Sequence, residues 1–269
     1  MRVPWTSLPD GNSRATCPNC GKGPKDKTLG VTITHEKGIA HCFRCNHVEH
    51  RDGLVRAGSV MPIILEQKHE TLSEYWRALW DACDPIHGAA REYLQARNCV
   101  VPPKDGHLRC HAALKHPSGH VGPAMVALIT DQVTGEPLSL HRTWVKPDGR
   151  KATDPPRLLI PNHRKQGGVV RLWPNEAVTH GLGIAEGIET ALSLAHAFTP
   201  VWALIDAGNL KEFGPLPGIE ALTIAVDHDA AGISAAEDCA LRWIEAGAET
   251  RFIMSPTTKG DINDMAVAA

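Results

Sequence analysis

Apolar residues recur along this chain with two different periods, and the change from one to the other divides it. In the last third, short continuous apolar runs at 181–186, 201–205, 221–226 and 251–254 read as buried strands. Between them lie segments of helical spacing, one through Ile188, Ala191, Leu192, Ala195 and Phe198, another at 231–246 through Ala235, Ala236, Ala240, Leu241 and Ile244. Strands alternating with helices predict a mostly parallel sheet whose ligands gather at the carboxyl ends of its strands. Upstream the pattern is that of an antiparallel hairpin: 124–129 and 138–145 flank a Thr134-Gly135 turn, and Pro147-Asp148-Gly149 closes the second run. Before the hairpin, Tyr75, Trp76, Leu79 and Trp80 form one apolar helical stripe and 89–96 a second short helix, so both tyrosines, Tyr75 and Tyr93, are expected in core helices. Residues 60–68 lack periodicity and suit a linker, while 30–34 and 38–41 have strand composition. Four parts follow: 1–56, a linker and helical segment at 57–105, a small α+β subdomain at 106–175, and an α/β module at 176–269.

Composition adds little until charge is divided by segment. The chain has 269 residues, 42% of them hydrophobic, and no apolar run that would span a bilayer. No secretory signal is visible at its start, so a cytoplasmic protein is expected. The net charge of −2 resolves into +4 over residues 1–56, −2 over 57–108, +5 over 109–176 and −9 over 177–269. A polyanion suits the basic parts, whereas the acidic part needs cations before it approaches one.

Of eight cysteines, four form two Cys-x-x-Cys pairs, Cys17 with Cys20 and Cys42 with Cys45. Two such pairs in a reducing compartment predict a tetrahedral thiolate zinc site on a zinc ribbon, and Cys83, Cys99, Cys110 and Cys239 are ordinary buried thiols. Arg14, Phe43 and Arg44 stand around the site, a mix of cation and aromatic suited to single-stranded nucleic acid. In the middle of the chain Arg142, Lys151 and Lys165 are among the basic residues placed to hold phosphates.

Carboxylates close three of the predicted strands. Glu186 follows the first, Asp206 follows the second and shapes a turn, and Asp227 and Asp229 follow the third. If that strand continues through both, Asp227 and Asp229 project from one side. Carboxylates at one sheet edge repel unless a cation lies between them, and hard oxygen donors select Mg²⁺ or Mn²⁺.

Four punctuations, Glu186-Gly187, Ala207-Gly208-Asn209, Asp227-His228-Asp229-Ala230-Ala231-Gly232 and Lys259-Gly260-Asp261-Ile262-Asn263-Asp264, resemble the motifs of the Toprim domain. With the N-terminal zinc ribbon, their order is similar to that of DnaG-like primases of bacteria, phages and plasmids. The resemblance implies an α/β Toprim fold, Rossmann-like, with a small basic α+β subdomain and a β zinc ribbon. It implies catalytic Glu186, Asp227 and Asp229, with Asp261 and Asp264 beside the same metals, and contacts from Arg142, Lys151, Lys165 and Arg44 to nucleotide or template. The implied activity is primer synthesis from ribonucleoside triphosphates on single-stranded DNA with one structural zinc and catalytic Mg²⁺ or Mn²⁺. No Gly-x-x-x-x-Gly-Lys-Ser/Thr loop is present, so a replicative helicase is expected as a separate partner. A Toprim nuclease and a non-catalytic zinc/Toprim recombination mediator are the alternatives; a topoisomerase is disfavoured because both tyrosines lie in predicted core helices.

Overall fold

The computed structural model describes residues 3–23, 25–34, 37–52, 69–256 and Ile262. The chain divides into two compact units, 1–65 and 66–269. The linker expected at 60–68 lies outside the described residues, as do Asp261 and Asp264.

The first unit is a four-stranded antiparallel meander, β1 (Gly11–Ala15), β2 (Leu29–Thr34), β3 (Lys37–Cys42) and β4 (Val48–Asp52), paired in chain order. Strand alternation buries Leu29, Val31 and Ile33 of β2 and Ala40 and Cys42 of β3 on one face, against Val3, Trp5, Ala15 and Cys17. Gly38 sits directly under the Trp5 ring, where a Cβ would come within 2.5 Å of it. That close approach is what glycine permits there.

The second unit opens with helices α1 (Glu74–Asp81) and α2 (Gly88–Ala96), separated by the short β5 (Asp84–Pro85). These helices cover a sheet of β5, β6 (Leu108–Lys115), β7 (Val121–Asp131), β8 (Pro137–Trp144) and β9 (Arg157–Leu159), all antiparallel, with β10 (Gly168–Val169) also paired to β7. The hairpin of β7 and β8 lies where its alternation placed it. Tyr75 departs from expectation: its side of α1 faces solvent and it is 75% exposed, whereas Trp80, five residues on, is buried. Tyr93 is fully buried.

The rest of this unit is an all-parallel sheet in the order β12-β11-β13-β14, formed by β11 (Gly181–Ala185), β12 (Val201–Ala203), β13 (Ala221–Val226) and β14 (Glu249–Met254). Helices α3 (Ile188–Leu194), α4 (Ala207–Glu212) and α5 (Ala230–Glu245) connect its strands. Continuous burial of Leu182, Ile184 and Ala185 in β11 and of Ile224, Ala225 and Val226 in β13 follows from coverage on both faces. One core joins Leu192 and Ala225 of this module to Tyr93, Leu94 and Met125 of the antiparallel part. Among the described residues no helix is long and apolar enough to cross a membrane.

Two half-buried histidines make stability depend on pH. Burial, reinforced by Arg171 and Arg109, lowers His107 to about 4. Burial also lowers His141 to about 4; Glu189 opposes that shift, and Arg157, Arg142 and Lys151 add to it. Both folded values lie below the usual histidine value of 6.5, so between about pH 6.5 and 4 the unfolded chain binds more protons than the folded one. Their contribution is complete above the unfolded value and is lost as pH falls through this window. Urea titrations should show a stability of this unit lower by about 1 to 3 kcal/mol per histidine at pH 4.5 than at pH 7.5. A flat profile in a His107→Gln, His141→Gln double variant and the native chain alike rules this out.

Candidate functional site

Two knuckles bring four thiols together in the first unit. The Sγ atoms of Cys17, Cys20, Cys42 and Cys45 all lie within 4.8 Å of one another. Cys17 and Cys45 are 3.7 Å apart, and Cys20 and Cys42 3.5 Å. Four thiolates at 2.3 Å from a tetrahedral zinc stand about 3.8 Å from each other, so this cluster is built to hold a zinc ion. The backbone N–H groups of Asn19 and Arg44 donate to Cys17 and Cys42 sulfur at 3.4 Å, spreading thiolate charge. Arg44, expected as a template contact, straps the knuckles while its side chain stays 39% exposed: its guanidinium reaches Asp26 at 2.6 Å and the Cys20 carbonyl at 3.2 Å. Its charge and hydrogen bond hold the Asp26 carboxyl down at about 2. On the sheet nearby, Phe43 is 63% exposed, with the Arg14 guanidinium 4.5 Å above its ring and His41 edge-on at 5.0 Å.

The acidic residues meet at the carboxyl edge of the parallel sheet. Ala185 pairs in register with Ala203 on one side and Ala225 on the other, so the residues following all three strands share that edge. Glu186 comes directly after β11, Asp227 directly after β13, and Asp206 within the turn that follows β12. Glu186 is pushed up to about 7, first by burial and then by the charges of Asp227, Asp206 and Asp229. Between Leu204 and Asp206 the turn contains Ile205 at φ +76°, a conformation that β-branched side chains resist.

The Asp-x-Asp motif is arranged differently from expectation. Strand β13 ends at Val226, and Asp229 is the N-cap of α5, accepting from the Gly232 N–H at 2.8 Å. The two aspartates are therefore not alternate positions of one strand. A Cβ on Gly232 would stand 2.6 Å from the Asp227 carbonyl oxygen, so glycine is what lets α5 begin this close beneath the strand end. His228 ties the turn to the end of β14 through the Ser255 carbonyl at 2.8 Å.

Asp206 caps α4 in the same way, accepting from Asn209 N–H at 2.9 Å, and it also pairs with Lys165 Nζ at 2.5 Å. Burial would raise its carboxyl, but Lys165 together with the Asn209 and Gly208 N–H groups lowers it. Asn209, buried, bonds the backbone of Lys165, Gly167 and Gly168, which assigns the Ala-Gly-Asn motif to bracing that loop. Arg142 is the expected phosphate contact that the fold removes from the surface. It is 6% exposed, stacked over Trp76 and Trp144, with its guanidinium donating to the Leu159 carbonyl.

His141, Arg157 and Glu189 adjoin Glu186. A cleft of about 40 Å³ is lined by His141, Arg157, Glu186, Gly187, Ile188, Glu189 and Ile205. Glu189 is buried and accepts from Tyr93 Oη at 2.8 Å and Arg157 Nη2 at 2.9 Å, with Lys151 Nζ at 3.8 Å. Burial alone would raise its carboxyl, but Arg157 and Lys151 hold it down at about 2.

The family model described as the Toprim domain matches residues 181–269. This part of the chain is a Toprim domain. The carboxylates at its sheet edge are thus Toprim-domain carboxylates, and the four-stranded unit with its thiol cluster is a zinc ribbon. A second family, described as a domain of unknown function (DUF7146), matches residues 70–172 and so takes in the antiparallel sheet. No curated protein matches the chain.

Among solved structures, the primase fragment of the bacteriophage T7 primase-helicase protein is 16% identical over 96% of this chain and 95% of its own, with a TM-score of 0.45. A DNA primase domain from Pseudomonas aeruginosa is 15% identical over 72% and 74%, with a TM-score of 0.46. The zinc-binding and RNA polymerase domains of the Aquifex aeolicus primase are 14% identical over 98% and 76%, with a TM-score of 0.47.

The Toprim donor set fits a divalent cation. Among the described residues the thiols alone close to metal-ligand spacing, so Glu186, Asp227 and Asp229 stand further apart than a bound ion would draw them. Their donors are all carboxylate oxygens, and the mutual repulsion that helps raise Glu186 is what a divalent cation relieves.

Proposed function

We propose that this chain is a DNA primase that joins ribonucleotides into short primers on a single-stranded DNA template. The observation that carries the reading is the gathering of Glu186, Asp227 and Asp229 at the edge of a Toprim sheet, in a chain that also contains a zinc ribbon. Exposed Phe43 with Arg14 above it offers a base a stacking face and a cation, which suits single-stranded template.

In primer extension a ribose 3′-hydroxyl attacks the α-phosphorus of an incoming ribonucleoside triphosphate, and pyrophosphate leaves. Glu186, Asp227 and Asp229 would hold Mg²⁺ or Mn²⁺, with Asp261 and Asp264 of the last motif assigned to the same ions; the bound ions neutralise charge developing on the phosphates. Glu186, at the same edge, is the group assigned to take up the hydroxyl proton. Asp229 and Asp206 are held at the edge by the helices they cap. Lys165 balances Asp206 and limits the repulsion at the edge. A replicative helicase is the partner this reading implies.

The test is incubation of the purified protein with Mg²⁺ or Mn²⁺, single-stranded DNA and labelled ribonucleotides. Short oligoribonucleotides are expected. Cleavage of the DNA without synthesis would assign the same carboxylates to a nuclease, and binding with neither reaction would assign the chain to a DNA-binding adaptor.

A further inference from the structure

Away from the carboxylate edge, a pocket of about 200 Å³ opens beside β12. Val178 and Thr179, just before β11, and Ile219, just before β13, are part of its wall. They set it at the amino ends of these parallel strands, opposite to the ends that carry Glu186 and Asp227. Trp202 of β12 and Arg171 form another part of the wall, with the guanidinium carbon 4.6 Å from the centre of the indole ring.

Arg171 is 4% exposed, and burial works against its charge. Its acceptors among the described residues are all neutral. Nε donates to Asn175 Oδ1 at 2.8 Å, Nη1 to Thr130 Oγ1, and Nη2 to the Asp131 and Gln132 carbonyls, both at 3.1 Å. No carboxylate oxygen of the described residues lies within 4.0 Å of it; Asp131, whose charge favours the guanidinium, holds Arg164 with its own carboxylate at 2.8 Å. A guanidinium has five N–H groups and these bonds use four, so its donor capacity is not filled. A buried ion is costly unless paired, and the pocket is where a counter-ion for Arg171 has room.

The rest of the wall narrows the ligand. Arg171 is the one charged side chain among the lining residues, which suits a single negative charge and not a polyphosphate. Gln132, Asn175 and Thr179 add neutral donors, while Trp202 and Leu216 give an apolar face. The volume is below that of a drug-sized pocket, so the apolar body is small. We propose that this pocket binds a small organic monocarboxylate, its carboxylate on Arg171 and its apolar body against Trp202 and Leu216. This ligand site is separate from the metal-binding edge, and its occupation does not depend on the chain being a primase.

Titration of the purified full chain with benzoate, and with uncharged benzamide of the same shape, tests the site. The readout is the Trp202 indole N–H resonance, assigned by its loss in Trp202→Phe, with unfolding temperatures measured in parallel. Benzoate should shift this resonance saturably and raise the unfolding temperature, and benzamide should bind at least about tenfold more weakly. Arg171→Gln should bring benzoate down to the affinity of benzamide. Arg171 also braces Thr130 and Asp131 of β7, so Thr179→Trp gives a second measure: at the exposed mouth it closes the pocket without touching those bonds, and should abolish the shift by either ligand. Arg251→Ala, on the exposed edge strand, should change neither. If Arg171→Gln unfolds, Thr179→Trp decides by itself. Equal binding of benzoate and benzamide, a benzoate shift that survives in Thr179→Trp, or no shift of the native chain up to about 10 mM overturns the proposal.

Discussion

Asp227→Asn is expected to lower primer synthesis by about a thousandfold or more while leaving the fold intact. The magnitude follows from removing a charged group from a site whose work is to offset charge on transferred phosphate. The fold should survive because Asp227 is a source of strain at the edge: its charge is the largest of the neighbouring ones that push Glu186 up to about 7. With asparagine there, the Glu186 carboxyl should fall toward its ordinary value, and stability near neutral pH should hold or rise slightly. The pairing of lost activity with retained stability separates a chemical role from a structural one. Ribonucleotide incorporation, with a thermal melt and a titration of ¹³C-labelled glutamate, makes the comparison. A variant retaining a tenth of the activity would take Asp227 out of the reaction.

Removal of zinc should unfold the ribbon and spare the second unit. Among the described residues the ribbon core has nine buried members, and two of them, Cys17 and Cys42, belong to the thiol cluster. So small a core does not offset the chain entropy of an independent unit, and a structural zinc contributes on the order of 10 kcal/mol in comparable modules. Cys42→Ser, at a fully buried position, should have the same effect as a chelator. Trp5 is the ribbon's only tryptophan among the seven of the chain, buried and hydrogen-bonded to Glu49, so its indole N–H resonance reports on this unit alone. That resonance should collapse to an unfolded position as metal is removed, with the other six unchanged, and one zinc per chain should be released. An unshifted Trp5 signal in demonstrably metal-free protein would mean that the thiols do not depend on an ion.

These two outcomes concern residues that local pattern exposed. Cys-x-x-Cys pairs announce themselves because both ligands of a knuckle come from one turn. Glu186 and Asp227 were identifiable because each follows a continuous apolar run, and a parallel sheet brings such ends to one edge. The motif Asp227-His228-Asp229 was misjudged in its geometry: capping competes with strand extension, and the Gly232 contact favours the cap. Tyr75 was placed inside by a stripe that in the fold runs through Trp76 and Trp80 instead.

By itself the sequence determined the order of the modules, the alternation that makes one sheet antiparallel and the other parallel, and the chemistry of the thiols and carboxylates. All of these rest on neighbours within a few residues, where spacing alone sets which side chains share a face. The tertiary structure decided which partner each cation takes. Arg142 goes under two tryptophans, Arg44 to Asp26, Lys165 to Asp206, and Arg157 and Lys151 to Glu189. Each choice joins residues from different elements, and the partner of a long flexible cation depends on which buried carboxylate or ring the packed chain places within its reach.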